Sequence, residues 1–375
     1  MAKHLSMLWG GTGTGKTDLL GTFAKGLFEG EGKKTRLVSA EKAQSEGILR
    51  EGIEAGYILP WWLNDRMDAT GNVETPFERL TDAMLGKWPA DTNNPYSSLI
   101  SAFSIQYKAT CREAAKHPQK DEKLIYQGEK PPTSASQLQC PMCKTAVILE
   151  TVRVVTDERL KEVGAYFCEG ATEYGDMMMQ NLQRRAALGE STGGNVATRF
   201  QDGQMWVGSN TQGHYGTAQN QIKNKVGESV HLPVDYVWWT AVMEDGKDED
   251  RGGVLVFGPK IPGVKKTADV PRWFGSTLST CTVPVMKNGA QEAEYRLYLK
   301  EYFQDWIPLI AKQRCIVDNR IPAGRLKDIP QFIAVDHTKA EVEVAGTKLK
   351  LSTLLYDVTK LIESRQNPKK VEVAK

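Results

Sequence analysis

Leu5-Ser6-Met7-Leu8-Trp9-Gly10-Gly11-Thr12-Gly13-Thr14-Gly15-Lys16-Thr17 opens with an apolar run and closes in glycines, a lysine and a threonine. The run Leu5–Trp9 reads as a buried strand. Beyond it, Leu19, Leu20, Phe23, Ala24 and Leu27 recur at helical spacing, which predicts a helix from Lys16 to about Phe28. Between the two lies glycine, four residues, then Gly15-Lys16-Thr17, a spacing with a physical purpose. Glycines let backbone N–H groups turn inward and form an anion nest. The following helix points its positive end at the same place. Lys16 supplies a point charge for β- and γ-phosphates, and Thr17 a hydroxyl ligand for Mg²⁺. Residues 10–17 (Gly10, Gly11, Thr12, Gly13, Thr14, Gly15, Lys16 and Thr17) are therefore expected to hold the triphosphate of ATP or GTP.

Working outward, Arg36-Leu37-Val38-Ser39-Ala40 reads as a second strand ending at Glu41, with a helix over 43–55 after it. Val163–Cys168 reads as a strand ending in Glu169, followed by a helix over 172–188. A helix over 214–230 and the strongly apolar strand Val234–Val242 continue the rhythm, with further strands at 253–257, 276–285 and 294–299. Alternating strands and helices predict an α/β fold with a mostly parallel sheet flanked by helices. The rhythm breaks over 88–156, which holds six prolines and reads as an insertion. The expected divisions are a core of 1–87 and 157–335, an insertion of 88–156, and a C-terminal helix with a disordered basic tail over 336–375. Residues 189–213 read as a mobile loop, and Glu244 to Asp250 as an exposed acidic one.

Phosphoryl transfer needs one acid near Mg²⁺ and one group to orient the attacking water. In an open parallel sheet both belong at the C-terminal strand ends. Glu41 is the expected water activator and Glu169 the Mg²⁺ acid; with Lys16 they form the candidate catalytic set. Asp157, after the strand-like Val152–Thr156, competes with Glu169. Thr240 is either a phosphate sensor or a buried strand hydroxyl.

Ser39-Ala40-Glu41 resembles the place where RecA-type ATPases keep their water-activating glutamate. The order of parts is similar to that of phage RecA-like ATPases, including the single-strand-annealing recombination proteins. Glu169-Gly170-Ala171-Thr172, Trp238-Trp239-Thr240-Ala241-Val242-Met243-Glu244-Asp245 and Gly258-Pro259-Lys260-Ile261-Pro262-Gly263-Val264-Lys265-Lys266 carry the likeness over roughly 3–85 and 160–300. The chain departs from that family in having Glu169 where an Asp is usual, and Val242 and Met243 where a strand-end His is usual. The resemblance implies a RecA-like P-loop NTPase core, homo-oligomers, and ATP-dependent action on single-stranded DNA in phage recombination or replication, hence in the host cytoplasm.

Cys140-Pro141-Met142-Cys143 has the spacing at which two thiolates reach one Zn²⁺. Cys111 and His117 upstream would complete four ligands, making the insertion a candidate zinc ribbon whose metal supplies folding free energy. Cys168, Cys281 and Cys315 read as core residues. Lys260, Lys265, Lys266, Arg272, Trp273 and Phe274 form the best basic and aromatic cluster for a single strand.

The 375 residues carry a net charge of +2 and 40% apolar content. That is ordinary globular composition, and any nucleic-acid surface must be local. No apolar run is long enough for a membrane span, and the N-terminus lacks the features of a secretory signal. Six cysteines are too few for a disulfide scaffold, which predicts a reducing, cytoplasmic setting. Three functions stay open: an ATPase motor on single-stranded DNA, an assembly protein with a slow or switch-like ATP site, and a small-molecule kinase.

Overall fold

The computed structural model describes residues 4–41, 48–61, 66–67, 73–74, 77–91, 93–94, 97–113, 124–193, 198–201, 204–207, 212–248, 254–262, 267–287, 289–299, 302–304, 307–309, 329–336 and 338–366. The chain divides into two compact units, one of Met1–Leu85 with Val163–Lys375 and one of Gly86–Glu162.

The first unit is mixed α/β, built on a largely parallel sheet. Its strands are β1 (His4–Gly10), β2 (Lys34–Ser39), β3 (Ile58–Trp61), β4 (Val163–Glu169), β5 (Tyr236–Asp248), β6 (Val254–Lys260), β7 (Ser276–Lys287), β8 (Ala290–Tyr298), β9 (Tyr302–Gln304), β10 (Ile307–Leu309) and β11 (Phe332–Val335). The order β3-β2-β4-β5-β1-β7 is parallel throughout. β8 and β11 continue it antiparallel beyond β7. β1 therefore lies inside the sheet, which is why Met7, Leu8 and Trp9 are all fully buried.

Helices α1 (Lys16–Glu31), α2 (Ile48–Glu54), α3 (Phe77–Met84), α4 (Ala171–Ala187), α5 (Gln212–Ser229) and α6 (Leu354–Gln366) complete the unit. The apolar stripe of α1 is buried from Leu19 to Leu27. Phe23 at its centre meets Phe167, Tyr236, Trp238 and Tyr356 edge-on, at centroid distances of 5.1 to 5.9 Å. Such pairs add to the gain from burying apolar area. Tyr356 comes from α6, and a Cβ on Gly26 of α1 would lie 2.5 Å from its Cβ, so α6 docks only where α1 carries glycine. Thr22 ties the two together: its Oγ1 donates to the Leu19 carbonyl (2.7 Å) and accepts the Leu355 N–H (3.1 Å). Lys360 of α6 also pairs with Glu31 at the end of α1 (2.7 Å).

Three expectations are corrected here. The acidic stretch after Val242 is not a loop through Asp248: β5 runs on to that residue and pairs antiparallel with β6. Within 189–213, Thr198–Gln201 and Gln204–Val207 form a two-stranded ribbon. The C-terminal region, beyond its helix, contains the hairpin Glu341–Val344 with Thr347–Lys350; residues 367–375 lie outside the described residues.

In the second unit, Phe103–Cys111 is the middle strand between Leu124–Gly128 and Val147–Val155, all antiparallel. Lys87–Pro89 pairs with Leu99–Ser101. Arg159 stacks over Trp88 (5.2 Å to the ring centre) and donates to the Pro89 carbonyl (3.1 Å).

Candidate functional site

β1 ends at Gly10, where parallel strands crowd in from both sides. A Cβ on Gly10 would fall 2.2 Å from Thr280 Oγ1 and 2.3 Å from the Thr280 carbonyl oxygen, so only glycine fits beside β7. The chain then turns through Gly13 (φ 74°) and Gly15 (φ 79°), both left-handed, and Gly15 is the N-cap of α1. Thr14 pins the loop: its Oγ1 lies 2.8 Å from the Gly11 carbonyl and 2.7 Å from Thr280 Oγ1. No side chain caps α1, so the N–H groups of its first turn have no side-chain acceptor at the helix's positive end.

Lys16 folds back over the loop, its Nζ donating to the carbonyls of Gly11 (2.9 Å) and Gly10 (3.2 Å). Burial lowers its pKa, while Glu41, Glu173 and Glu169 act in the opposite direction. One position on, Thr17 Oγ1 donates to Glu169 Oε1 at 2.7 Å. Glu169 is only 2% exposed at the tip of β4. Burial pushes its pKa up, against the hydrogen bonds from Thr17 and Ser39.

The backbone around Glu169 is held from both neighbouring strands. The Ala40 N–H donates to the Glu169 carbonyl (2.9 Å), and the Gly170 N–H donates to Thr240 Oγ1 (2.8 Å). Thr240 is thus a buried strand hydroxyl that bridges β5 to the turn after β4. Thr172 repeats the device one turn later, accepting the Val242 N–H (2.9 Å) and donating to the Lys260 carbonyl (2.7 Å).

Glu41 follows β2, its N–H bonded to Ser39 Oγ (3.1 Å). Its pKa is raised to about 7, first by burial and then by Glu169 and Glu173, with Lys16 opposing. Glu173, in the first turn of α4, was missed by the sequence reading. Its Oε2 is buried without a hydrogen-bond partner, and a Cβ on Gly170 would sit 3.0 Å from it and from Glu41 Cγ. Its place in the first turn of the helix that follows the acid-tipped strand is the signal that could have found it. Thr280 was also missed, because nothing local marks a threonine far along the chain as the neighbour of Gly10.

The loop, Lys16, Thr17, Glu41 and Glu173 line one cavity of about 780 Å³, which continues past Asp18 and Thr22 of α1 to β8 and the C-terminal segment. Three carboxylates stand near one ammonium, so with all four ionised the site carries two uncompensated negative charges.

Asp157, the alternative acid, belongs to the second unit, where Arg159 Nε donates to its carboxylate (2.9 Å). Of the basic and aromatic cluster, Phe274 is buried, Lys260 lies 3.7 Å from Glu244, and Lys265 and Lys266 lie outside the described residues. Cys168 and Cys281 are buried; Cys315 lies outside the described residues.

The second unit gathers three thiols that could hold a metal ion: the sulfurs of Cys111, Cys140 and Cys143 all lie within 4.8 Å of one another. Cys111 ends its strand, while Cys140 and Cys143 sit on a tight turn closed by Lys144 N–H to the Cys140 carbonyl and by Cys140 N–H to the Thr145 carbonyl (both 2.9 Å). Lys144 takes a left-handed φ of 56° there. Cys111 Sγ is 3.3 Å from Cys143 Sγ. His117 lies outside the described residues.

No family model matches this chain, and no curated protein is similar to it. Among the described residues no helix is long and apolar enough to cross a membrane.

Proposed function

We propose that this protein is a RecA-like P-loop ATPase that binds ATP with Mg²⁺ and hydrolyses it. The observation that carries the reading is the 2.7 Å bond between Thr17 and Glu169, which joins the hydroxyl after the loop lysine to a buried acid at a neighbouring strand tip. The nearness of Glu41 and Glu173 to this buried pair supports the reading further.

In this reading the loop amides and the start of α1 receive the phosphates. Lys16 leaves the Gly10 and Gly11 carbonyls to meet the terminal phosphates. Thr17 and Glu169 would hold Mg²⁺, which neutralises phosphate charge and polarises the transferring group. Glu41, with its pKa near 7, is poised to take a proton from water at neutral pH. The single-stranded DNA partner, a homo-oligomeric state and a role in phage recombination rest on the family resemblance alone.

For the thiol cluster the proposed ion is Zn²⁺, with His117 as fourth ligand. A closed tetrahedral set of this kind is structural rather than catalytic.

The test is ATP hydrolysis by the full chain with Mg²⁺, with and without single-stranded DNA, beside Lys16→Ala. Turnover should fall by about 10²–10³-fold or more in the variant, since a preorganised charge at the reacting phosphate is lost. Parental turnover in Lys16→Ala would reject the reading. Stimulation by DNA that weakens steeply with salt supports the motor; slow turnover indifferent to DNA supports an assembly switch instead.

A further inference from the structure

The cavity is longer than a phosphate site needs. Beyond Thr17 it follows Asp18, Leu19 and Thr22 along α1 and ends on Tyr295, Leu297, Val335, Leu351 and Leu354. Leu297 and Leu354 are buried, while Tyr295, Val335 and Leu351 keep part of their surface open. Two cations, Arg296 and Lys339, also reach this end. Each already has a carboxylate: Arg296 Nε is 2.7 Å from Glu294 and its guanidinium lies 4.3 Å over the Phe332 ring, and Lys339 is 3.5 Å from Asp336. Their charges are thus partly offset at this end of the cavity. What it offers is aliphatic surface and a tyrosine ring, the lining that accepts a flat, weakly polar group. The wall is also fixed to the loop's own helix, through the Thr22–Leu355 bond and the packing of Tyr356 on Gly26.

We infer that this wall, contributed by β8, β11 and the segment Leu351–Leu354, is the compartment for the base and ribose of the nucleotide. The ligand is then a nucleoside triphosphate recognised at both ends, not a phosphate chain held by the loop alone. This rests on the phosphate reading of the glycine loop and adds the residues that select for a base.

The experiment is calorimetric titration of the full chain, with Mg²⁺, using ATP and inorganic tripolyphosphate separately. Parent, Lys16→Ala, Leu351→Arg and Ser352→Trp are compared. Ser352 lines the same cavity but is exposed, so its variant fills the compartment without entering the core if Leu351→Arg fails to fold. The parent should bind ATP about tenfold or more tightly over tripolyphosphate, and both wall variants should erase that preference; Ser352→Trp, which adds no charge, should leave tripolyphosphate affinity unchanged. Lys16→Ala should weaken both ligands. Equal affinity of the parent for the two ligands, or wall variants that leave ATP binding intact, overturns the compartment while the loop reading stands. Binding of neither ligand by the parent overturns the loop reading and the compartment with it.

Discussion

The glycine loop grows from a strand whose Met7, Leu8 and Trp9 are fully buried, whereas the three thiols sit in a unit whose strand Val147–Val155 leaves Ile148, Leu149, Val152 and Val154 between 37% and 48% exposed. The first site is held by a hydrophobic core assembled independently of any ligand: Phe23, Trp238 and their neighbours would pack with the loop empty or full. The second has little such support. Its three-stranded sheet buries Ala109 and Cys111 but leaves several aliphatic side chains exposed, and small units with little apolar burial commonly need a staple such as a bound metal. One site should thus survive loss of its ligand and the other should not.

The largest expected effect tests that contrast. If the three thiols hold zinc as proposed, a chelator or Cys140→Ser would remove a metal whose binding in small domains is worth roughly 10–16 kcal/mol. Limited proteolysis should then cut within 86–162 while the first unit stays protected. Less than one zinc per two chains in purified protein, or an unchanged digestion pattern after chelation, breaks the comparison. A smaller effect is expected for Gly10→Ala. The new methyl meets both the side chain and the backbone of Thr280, so trimming Thr280 does not relieve it. Overpacking of this kind costs about 1–3 kcal/mol, read as a lower melting temperature of the first unit. A melting temperature equal to the parent's would mean that β1 and β7 are less tightly opposed than described.

The smallest effect is a pH dependence. Glu41 has a pKa of about 7 in the folded chain, above the usual value of 4.5. Between these values the folded state binds more protons at Glu41 than the unfolded one, so the stability that this group contributes is fully present below pH 4.5 and is lost as pH rises through 7. Because the side chain is partly open to solvent, the loss is discounted to on the order of 1 kcal/mol. Thermal melts of the parent and Glu41→Gln from pH 5 to 8, without Mg²⁺, should diverge in that direction. Parallel curves would remove Glu41 from the charge cluster.

Local pattern made part of this legible. Glycine spacing, the apolar run before it and the helical stripe after it all lie within about thirty residues, and the strand, loop and helix occur there in that order. Glu41 and Glu169 stood out because strand ends are where such a sheet gathers its chemistry, and the structure does place both at strand ends near the loop. The far wall was invisible, since Leu355 reaches Thr22 across 333 positions and no short window contains both. Thr280 was hidden for the same reason, 266 residues from Thr14. The acidic end of β5 misled because Asp and Glu are depleted in strands, yet the strand runs on past Val242 paired with β6, with Asp245 exposed.

The Ala40 and Thr240 hydrogen bonds grip the single peptide link between Glu169 and Gly170 from the two neighbouring strands, so the main chain beside this carboxylate is set by the fold. The entropy of gathering these groups is spent when the chain folds, so any ligand that the proposed site takes would meet a carboxylate already in place.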